Sequence, residues 1–166
     1  MNYKILYIIF ISFISVFNLK SADVHPQDSL GDHLWYIEIW GSGLGVSFNY
    51  EYNIINNIIY IDKINIRTGI GSTLFLLNYF DLPVMLNFLI GKKYCFEFGF
   101  GGLFDYVSQL EHKDFPYPSQ VIKFISVFGY RYIGDSGSIF RTSFTPIIFP
   151  NGVIIPYIGI SFGHYF

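Results

Sequence analysis

The sequence predicts an all-β chain, an antiparallel up-and-down transmembrane β-barrel of about eight strands, and three observations carry the prediction. Large apolar side chains alternate with small or polar ones at period two along most of the chain. The composition is 52% hydrophobic and 21% aromatic but only 13% charged, about half the usual charged share. The closing residues, Tyr157 to Phe166, set Ile158, Ile160, Phe162 and Phe166 against Gly159, Ser161 and Gly163, a strand with one apolar face that finishes on an aromatic.

At 166 residues the chain suits one domain, and a water-soluble domain of that size has little volume in which to hide so much apolar surface. Its mean hydropathy of +0.41 is compatible with membrane helices, yet beyond the first twenty residues no uninterrupted apolar run reaches the ~18 residues a spanning helix needs. The formal net charge is −2, which offers no basic field to nucleic acid.

Lys4 precedes the apolar stretch Ile5 to Phe17, followed by Asn18, Leu19, Lys20, Ser21 and Ala22, the order of a secretory signal peptide. Residues 1–22 are therefore expected to be removed on export, residues 23–32 to form a short polar leader, and residues 33–166 to form the barrel. Cys95 is the one cysteine, so no internal disulfide is possible and the thiol reads as a packed small side chain.

The first strand is expected near His33 to Trp40, turning at Gly41, Ser42 and Gly43 into a second that sets Leu44, Val46, Phe48, Tyr50 and Tyr52 against Gly45, Ser47, Asn49 and Glu51. One long strand kinked at glycine is the alternative; two are preferred because a barrel with both termini on one side needs an even number. The third, near Ile58 to Gly71, opposes Ile64, Ile66 and Ile70 to Asn65, Arg67 and Gly69; the fourth, near Leu82 to Ile90, opposes Val84, Leu86 and Phe88 to Asn87. In the fifth, Phe96, Phe98 and Phe100 oppose Glu97, Gly99 and Gly101. The sixth, near Gln120 to Tyr132, sets Phe124, Phe128, Tyr130 and Tyr132 against Lys123, Gly129 and Arg131; the seventh sets Phe140 and Phe144 against Arg141 and Ser143; the eighth is the closing strand.

Facing inward, this much phenylalanine would overfill a barrel of about eight strands, so the apolar face is expected to point outward into lipid. Closure then satisfies the backbone in a medium without hydrogen-bond partners. Asn53 to Asn57, Gly91 to Lys93 and Gly134 to Ser138 read as short turns, Ser72 to Phe80 and Leu103 to Ser119 as long loops. Pro83, Pro146 and Pro156 fall near the long-loop rim, where a missing N–H matters least. Tyr50, Tyr52, Tyr60, Tyr94, Tyr130 and Tyr132 gather near the short turns as an aromatic girdle.

With strands and turns in place, the stretches Gly43-Leu44-Gly45-Val46-Ser47-Phe48-Asn49-Tyr50-Glu51, Arg67-Thr68-Gly69-Ile70-Gly71, Gly129-Tyr130-Arg131-Tyr132, Phe140-Arg141-Thr142-Ser143-Phe144-Thr145-Pro146 and Gly159-Ile160-Ser161-Phe162-Gly163-His164-Tyr165-Phe166 resemble small eight-stranded outer-membrane barrels of the OmpX or OmpA-anchor kind. The resemblance covers nearly all of residues 33–166 and implies a Gram-negative outer-membrane location, but the family brings no agreed activity. It also implies that Ile160, Phe162 and Phe166 act as the signal read by the barrel assembly machinery, with His164 standing where a more hydrophobic residue is usual.

The inward charges on this register are Glu38, Glu51, Lys63, Arg67, Glu97, Lys123, Arg131 and Arg141. Mixed signs in a lumen just wide enough for side chains point to mutual bidentate pairing and a plugged rod, ahead of a narrow anion-favouring conduit. A lipid-modifying enzyme of the acylase or deacylase type is the rival reading: His112, Asp114 and Ser119 share the long loop and are residue types that build a nucleophile and its base. Their spacing gives no support, a polar loop contains such a trio by chance, and no His-x-Ser pair lies on a strand. Omptin-like proteolysis needs a larger barrel. His25 and His33 near Asp28 and Asp32 are weak metal candidates in the leader, better read as a tether. Gly41-Ser42-Gly43-Leu44-Gly45 lacks the following helix and lysine of a phosphate loop. Phe75, Leu76, Leu77, Tyr79, Phe80, Phe104, Tyr106, Phe115 and Tyr117 make the long loops unusually aromatic, through strand continuation or a sticky patch at the lipopolysaccharide surface. The expectation is a monomeric outer-membrane barrel with a structural or surface-interaction role, no catalysis and no cofactor, whose partners are membrane lipid, lipopolysaccharide and the assembly machinery.

Overall fold

The computed structural model describes residues 31–43, 45–72, 79–107 and 122–166. Eight strands follow in chain order: β1 (His33–Ile39), β2 (Val46–Ile58), β3 (Ile61–Ser72), β4 (Tyr79–Ile90), β5 (Tyr94–Val107), β6 (Ile122–Ile133), β7 (Ser138–Ile148) and β8 (Ile154–Tyr165). Each pairs antiparallel with its sequence neighbours, and β1 pairs with β8 from Leu34↔Tyr165 to Ile39↔Ile160, which closes the barrel. Phe166 extends the seam by donating its N–H to the His33 carbonyl at 2.9 Å. Closure leaves no sheet edge along the paired length, the condition for placing strands where no solvent hydrogen-bonds the backbone.

The faces sort as the alternation demands. Trp35, Ile37, Phe48, Ile66, Phe100, Phe128, Phe144 and Phe162 point outward and are exposed, while Glu38, Asn49, Arg67, Asn87, Glu97, Arg131, Arg141 and Ser161 point inward and are buried. The outer surface is therefore apolar and the middle of the lumen polar, the reverse of a water-soluble barrel. One end, the turn end, carries the tight connections and both ends of the described barrel; the other, the loop end, carries the remaining connections.

β1 and β2 are separate strands joined through residues 40–45, not one kinked strand. The turn expected at Asn53 to Asn57 is displaced: β2 continues to Ile58 and reverses at Ile59 and Tyr60. Its asparagines looked like loop residues, but Asn53 is buried in the lumen opposite Asn65, while Asn56, opposite Lys63, is exposed at the turn end and accepts from Asn53 at 2.6 Å. The register shift between Asn53 and Ile55 is a β-bulge that lets the strand run on after one extra residue. Tyr60 accordingly lies at the hairpin tip, 83% exposed, beyond the other tyrosines near this end. β5, β7 and β8 outlast the stretches of clearest alternation. Pro146 and Pro156 face each other across β7 and β8 near the loop end, and the β3–β4 and β6–β7 ladders lapse beside Pro83 and Pro146, which have no N–H to offer. The expected signal peptide and nearly all of the expected leader lie outside the described residues, as do Phe75, Leu76, Leu77, Phe115 and Tyr117.

Candidate functional site

The lumen is layered. At its middle six charged side chains, all fully or almost fully buried, form one alternating chain: Glu51, Arg131, Glu97, Arg141, Glu38, Arg67. Arg131 grips Glu51 with two parallel bonds, Nη2 to Oε1 at 2.9 Å and Nη1 to Oε2 at 3.0 Å, and reaches Glu97 Oε2 from Nε at 3.0 Å. Arg141 donates from Nε to the same Glu97 oxygen at 2.9 Å and from Nη1 to Glu38 Oε1 at 2.6 Å. Arg67 completes the chain on Glu38 Oε2 at 2.7 Å. Three carboxylates against three guanidinium groups make the layer formally neutral, and the forked geometry of arginine suits each shared carboxylate.

Uncharged groups fill the remaining positions. Tyr36 donates its hydroxyl to Glu51 at 2.8 Å, and its ring lies within reach of three guanidinium carbons, Arg67 at 5.2 Å, Arg141 at 5.5 Å and Arg131 at 6.0 Å. Asn65 and Asn87 donate to Glu51 at 3.0 and 2.9 Å, Asn49 accepts from Arg67, and Ser161 accepts from Arg141 at 3.2 Å. Every strand thus contributes a side chain to one layer. Buried charges are tolerable in a low-dielectric interior only when paired and hydrogen-bonded, and each of the six charges here has at least one ionic partner, although Arg141 Nη2 and Glu97 Oε1 are left without a hydrogen bond.

The connection from β1 to β2 folds inward onto this layer. Ser42 gives both its N–H and its hydroxyl to Glu38 Oε2, at 3.1 and 2.7 Å. A side chain at Gly41 would meet the Glu38 carboxyl carbon at 2.1 Å, and one at Gly43 would meet Ser47 Cβ at 2.5 Å. The two glycines let the loop descend into the lumen, so this segment is a plug as well as the turn it resembles in sequence.

Apolar clusters bound the charged layer on either side. Toward the turn end lie Leu34, Leu89, Cys95, Ile133, Ile139 and Tyr165, beneath which a cavity of about 230 Å³ opens among Asp32, Asn56, Asp62, Lys63 and Lys92. Toward the loop end lie Met85, Leu103, Ile125, Val127 and Ile147. Beyond that cluster sit Asp81, Asp105 and Lys123, with Lys123 ion-paired to Asp105 and its Nζ 4.7 Å from the Phe149 ring centre.

Of the charges expected in the lumen, the structure brings together Glu38, Glu51, Arg67, Glu97, Arg131 and Arg141. Lys63 sits near the turn end, 5.0 Å from the ring centre of Tyr165. Lys123 stands apart from the central chain at the loop end. Sequence reasoning missed Tyr36, Ser42, Asp81 and Asp105. Tyr36 shares parity with Glu38 and was legible on that ground; Asp105 was hidden by placement in a loop. Among the metal candidates, His33 instead bonds the Tyr50 hydroxyl through Nδ1 at 2.5 Å and stacks on Phe166, while Asp32 accepts from Asn53 at 3.2 Å. Among the described residues no group of three or more His, Cys, Asp or Glu is arranged to hold a metal ion. His25, Asp28, His112, Asp114 and Ser119 lie outside the described residues.

On the outer face Ile158, Ile160, Phe162 and Phe166 of the closing strand are exposed, with His164 in line among them. In the turns, Lys93 bridges to Asp135 at 2.9 Å, and that hydrogen bond raises the lysine pKa above its ordinary value.

By sequence, no family and no curated protein matches the chain. By structure, the N-terminal β-barrel domain of Pseudomonas aeruginosa OprF superposes with a TM-score of 0.57 at 8% identity, covering 83% of this chain and all of that one. The Yersinia pestis outer membrane protein Ail, solved in a phospholipid bilayer nanodisc, superposes with a TM-score of 0.50 at 10% identity, covering 82% and 99%. The fold is that of the eight-stranded outer-membrane barrels. At these identities the likeness concerns the path of the backbone, and the interior chemistry is this chain's own.

Proposed function

We propose that this protein is an integral, monomeric outer-membrane barrel whose role is structural or one of surface interaction, with a plugged lumen. One observation carries the reading: the outward face is apolar on all eight strands while the interior holds a neutral, hydrogen-bonded chain of six charges. An exposed belt of this kind is stable in lipid and an aggregation hazard in water. The lumen is crossed by side chains from every strand, which leaves no continuous path for ions. Its partners on this reading are outer-membrane lipid and lipopolysaccharide around the belt, and the assembly machinery at Ile160, Phe162 and Phe166 during insertion.

The test is electrophoretic mobility of membrane-extracted protein, unboiled against boiled, together with planar-bilayer conductance of the folded form. The reading expects a faster unboiled band, retention in membranes after carbonate washing, and conductance near zero. Steady channel openings would replace the plugged rod with a pore, and recovery of the protein in the soluble fraction would overturn the outward assignment of the apolar face.

A further inference from the structure

The three tight connections at the turn end are not alike. Gly91 to Lys93 and Gly134 to Ser138 are short and charged, and Lys93 reaches across to Asp135 at 2.9 Å. The β2–β3 hairpin is long, and from Tyr52 to Ile61 it carries no charged residue. Ile54, Ile55 and Ile58 are exposed along it, and at its tip Ile59 is 89% exposed beside Tyr60. The backbone there works against the residue it carries. Ile59 has a φ of 48°, in the left-handed region, where a β-branched side chain is crowded and glycine or asparagine is at ease. Turn chemistry gives no reason for isoleucine at that place; its surroundings outside the hairpin have to supply one.

The hairpin also stands beyond its neighbours. Asn53 gives its N–H to the Asp32 carbonyl at the start of β1, and Lys63 pairs with Leu89 near the end of β4. Ile54 to Ile61 lie past both points. At ~3.3 Å per residue and a strand tilt of ~40°, the tip is roughly 10 Å further along the barrel axis than Asn53. The other edge of this side is low. β1 stops at Ile39, opposite Val46 at the start of β2, and the chain then folds into the lumen. A ladder row in this barrel climbs toward the loop end as it goes round. The row from Trp35 through Tyr50, Thr68, Val84, Gly102, Phe124 and Ile148 reaches β8 at Ile154, ten residues nearer the loop end than His164, with which Trp35 itself pairs.

The apolar belt is therefore oblique. It is displaced toward the turn end around β2 and toward the loop end around β5 and β6, where Phe104 and Ile122 are exposed near the strand ends. A belt set obliquely matches a flat bilayer only when the barrel leans, and the lean carries the β2–β3 tip into the leaflet at the turn end. Trp40, exposed where β1 ends, and Tyr60 then mark the two interfaces on this side, the level at which such rings settle. We propose that the hairpin tip, Ile58 to Ile61, is seated among the headgroups and upper acyl chains of the turn-end leaflet, with the barrel leaning toward it. The proposal rests on the outward belt lying in lipid. Lipid is the occupant because the exposed isoleucines continue the outward face of Tyr52 and Ile66 with no charge between, whereas the charged turns belong in water.

The test places single cysteines in a Cys95→Ala background, attaches an environment-sensitive maleimide fluorophore, and refolds the full chain into phosphatidylcholine nanodiscs, which leave both bilayer faces open to solutes. The quenchers are aqueous iodide, lipid brominated near the headgroup and lipid brominated deep in the acyl chains. Ile59→Cys is expected to show blue-shifted emission, loss of fluorescence with the shallow bromine and shielding from iodide. Ser136→Cys in the β6–β7 turn should be quenched by iodide alone, and Phe128→Cys on the belt by the deep bromine. Iodide quenching of Ile59→Cys equal to that of Ser136→Cys overturns the proposal, because the tip then stands in water. Shielding from iodide without quenching by either lipid overturns it too, since other residues of the chain then cover the tip. In both cases Phe128→Cys still reports the belt, and only its escape from brominated lipid removes the reading on which the proposal rests. Tyr60→Cys carries the same expectations and decides should Ile59→Cys fail to fold.

Discussion

Replacing Arg131 with methionine tests whether the barrel is held by its interior chain of charges. The guanidinium bonds Glu51 twice and Glu97 through Nε, with Nη2 a further 2.9 Å from the same Glu97 oxygen, and all three side chains are sealed from solvent. Methionine fills much of the volume and removes the charge, which leaves three carboxylates in a layer with two arginines. Breaking a buried pair by deleting one partner costs roughly 3–5 kcal/mol, most of it the desolvation of the charge left behind. Here the loss should fall near the lower bound, about 3 kcal/mol, because Glu51 keeps Tyr36, Asn65 and Asn87 as donors and Glu97 keeps Arg141. The assay is the fraction of folded band across a urea titration in detergent, with the midpoint and slope converted to free energy. The double variant Arg131→Met, Glu51→Gln restores neutrality and should recover much of the loss, since a buried ion pair replaced whole is often tolerated. A single variant within about 0.5 kcal/mol of wild type, the range of an inert surface substitution, would refute the idea that these pairs are desolvated and bear on stability.

Gly41→Ala should lower the folded fraction on the same gel, because its Cβ would meet the Glu38 carboxyl carbon at 2.1 Å and drive the plug loop off its two serine hydrogen bonds. Phe128→Arg, placing a charge on the outward face midway along β6, should destabilise by about 2–4 kcal/mol if that face lies at the bilayer midplane; little change in lipid vesicles would mean the face is not in hydrocarbon. Cys95 is buried, with its sulfur against the Gly91 and Lys92 carbonyl oxygens, so a maleimide should label boiled protein and leave folded protein unlabelled. Replacing His112 or Ser119 should leave the lipid profile of the cell envelope unchanged; an altered acylation pattern would revive the enzyme reading.

Much of the barrel was legible because period-two patterning is a local property of a strand. Glu97 between Phe96 and Phe98 has to face away from them whatever the partner strands do, and the same logic turned Arg67, Arg131 and Arg141 inward. It failed where a residue's type conflicted with its place. Asn53 and Asn56 read as a turn, yet a bulge carries the strand on through both, with Asn53 buried inside the barrel and Asn56 exposed at its end. Asp105, next to a long connection, read as loop for the same reason. Gly41 and Gly43 signalled a tight turn correctly, but no local pattern says that a turn folds into the lumen instead of away from it.

The amino-acid sequence by itself determined which face of each strand is apolar, and from the quantity of phenylalanine that this face must point outward. Pairing was left to the tertiary structure. Glu51 and Arg131 are eighty residues apart, and Glu38 and Arg141 more than a hundred; only closure of β1 on β8 and the stagger of the strands bring them within hydrogen-bonding distance. Register also decides that Asp81 lies between a glycine and a second aspartate while Glu38 lies among arginines. Alternation assigns a side chain to the inside, but the distance between two such side chains depends on how the sheet is rolled.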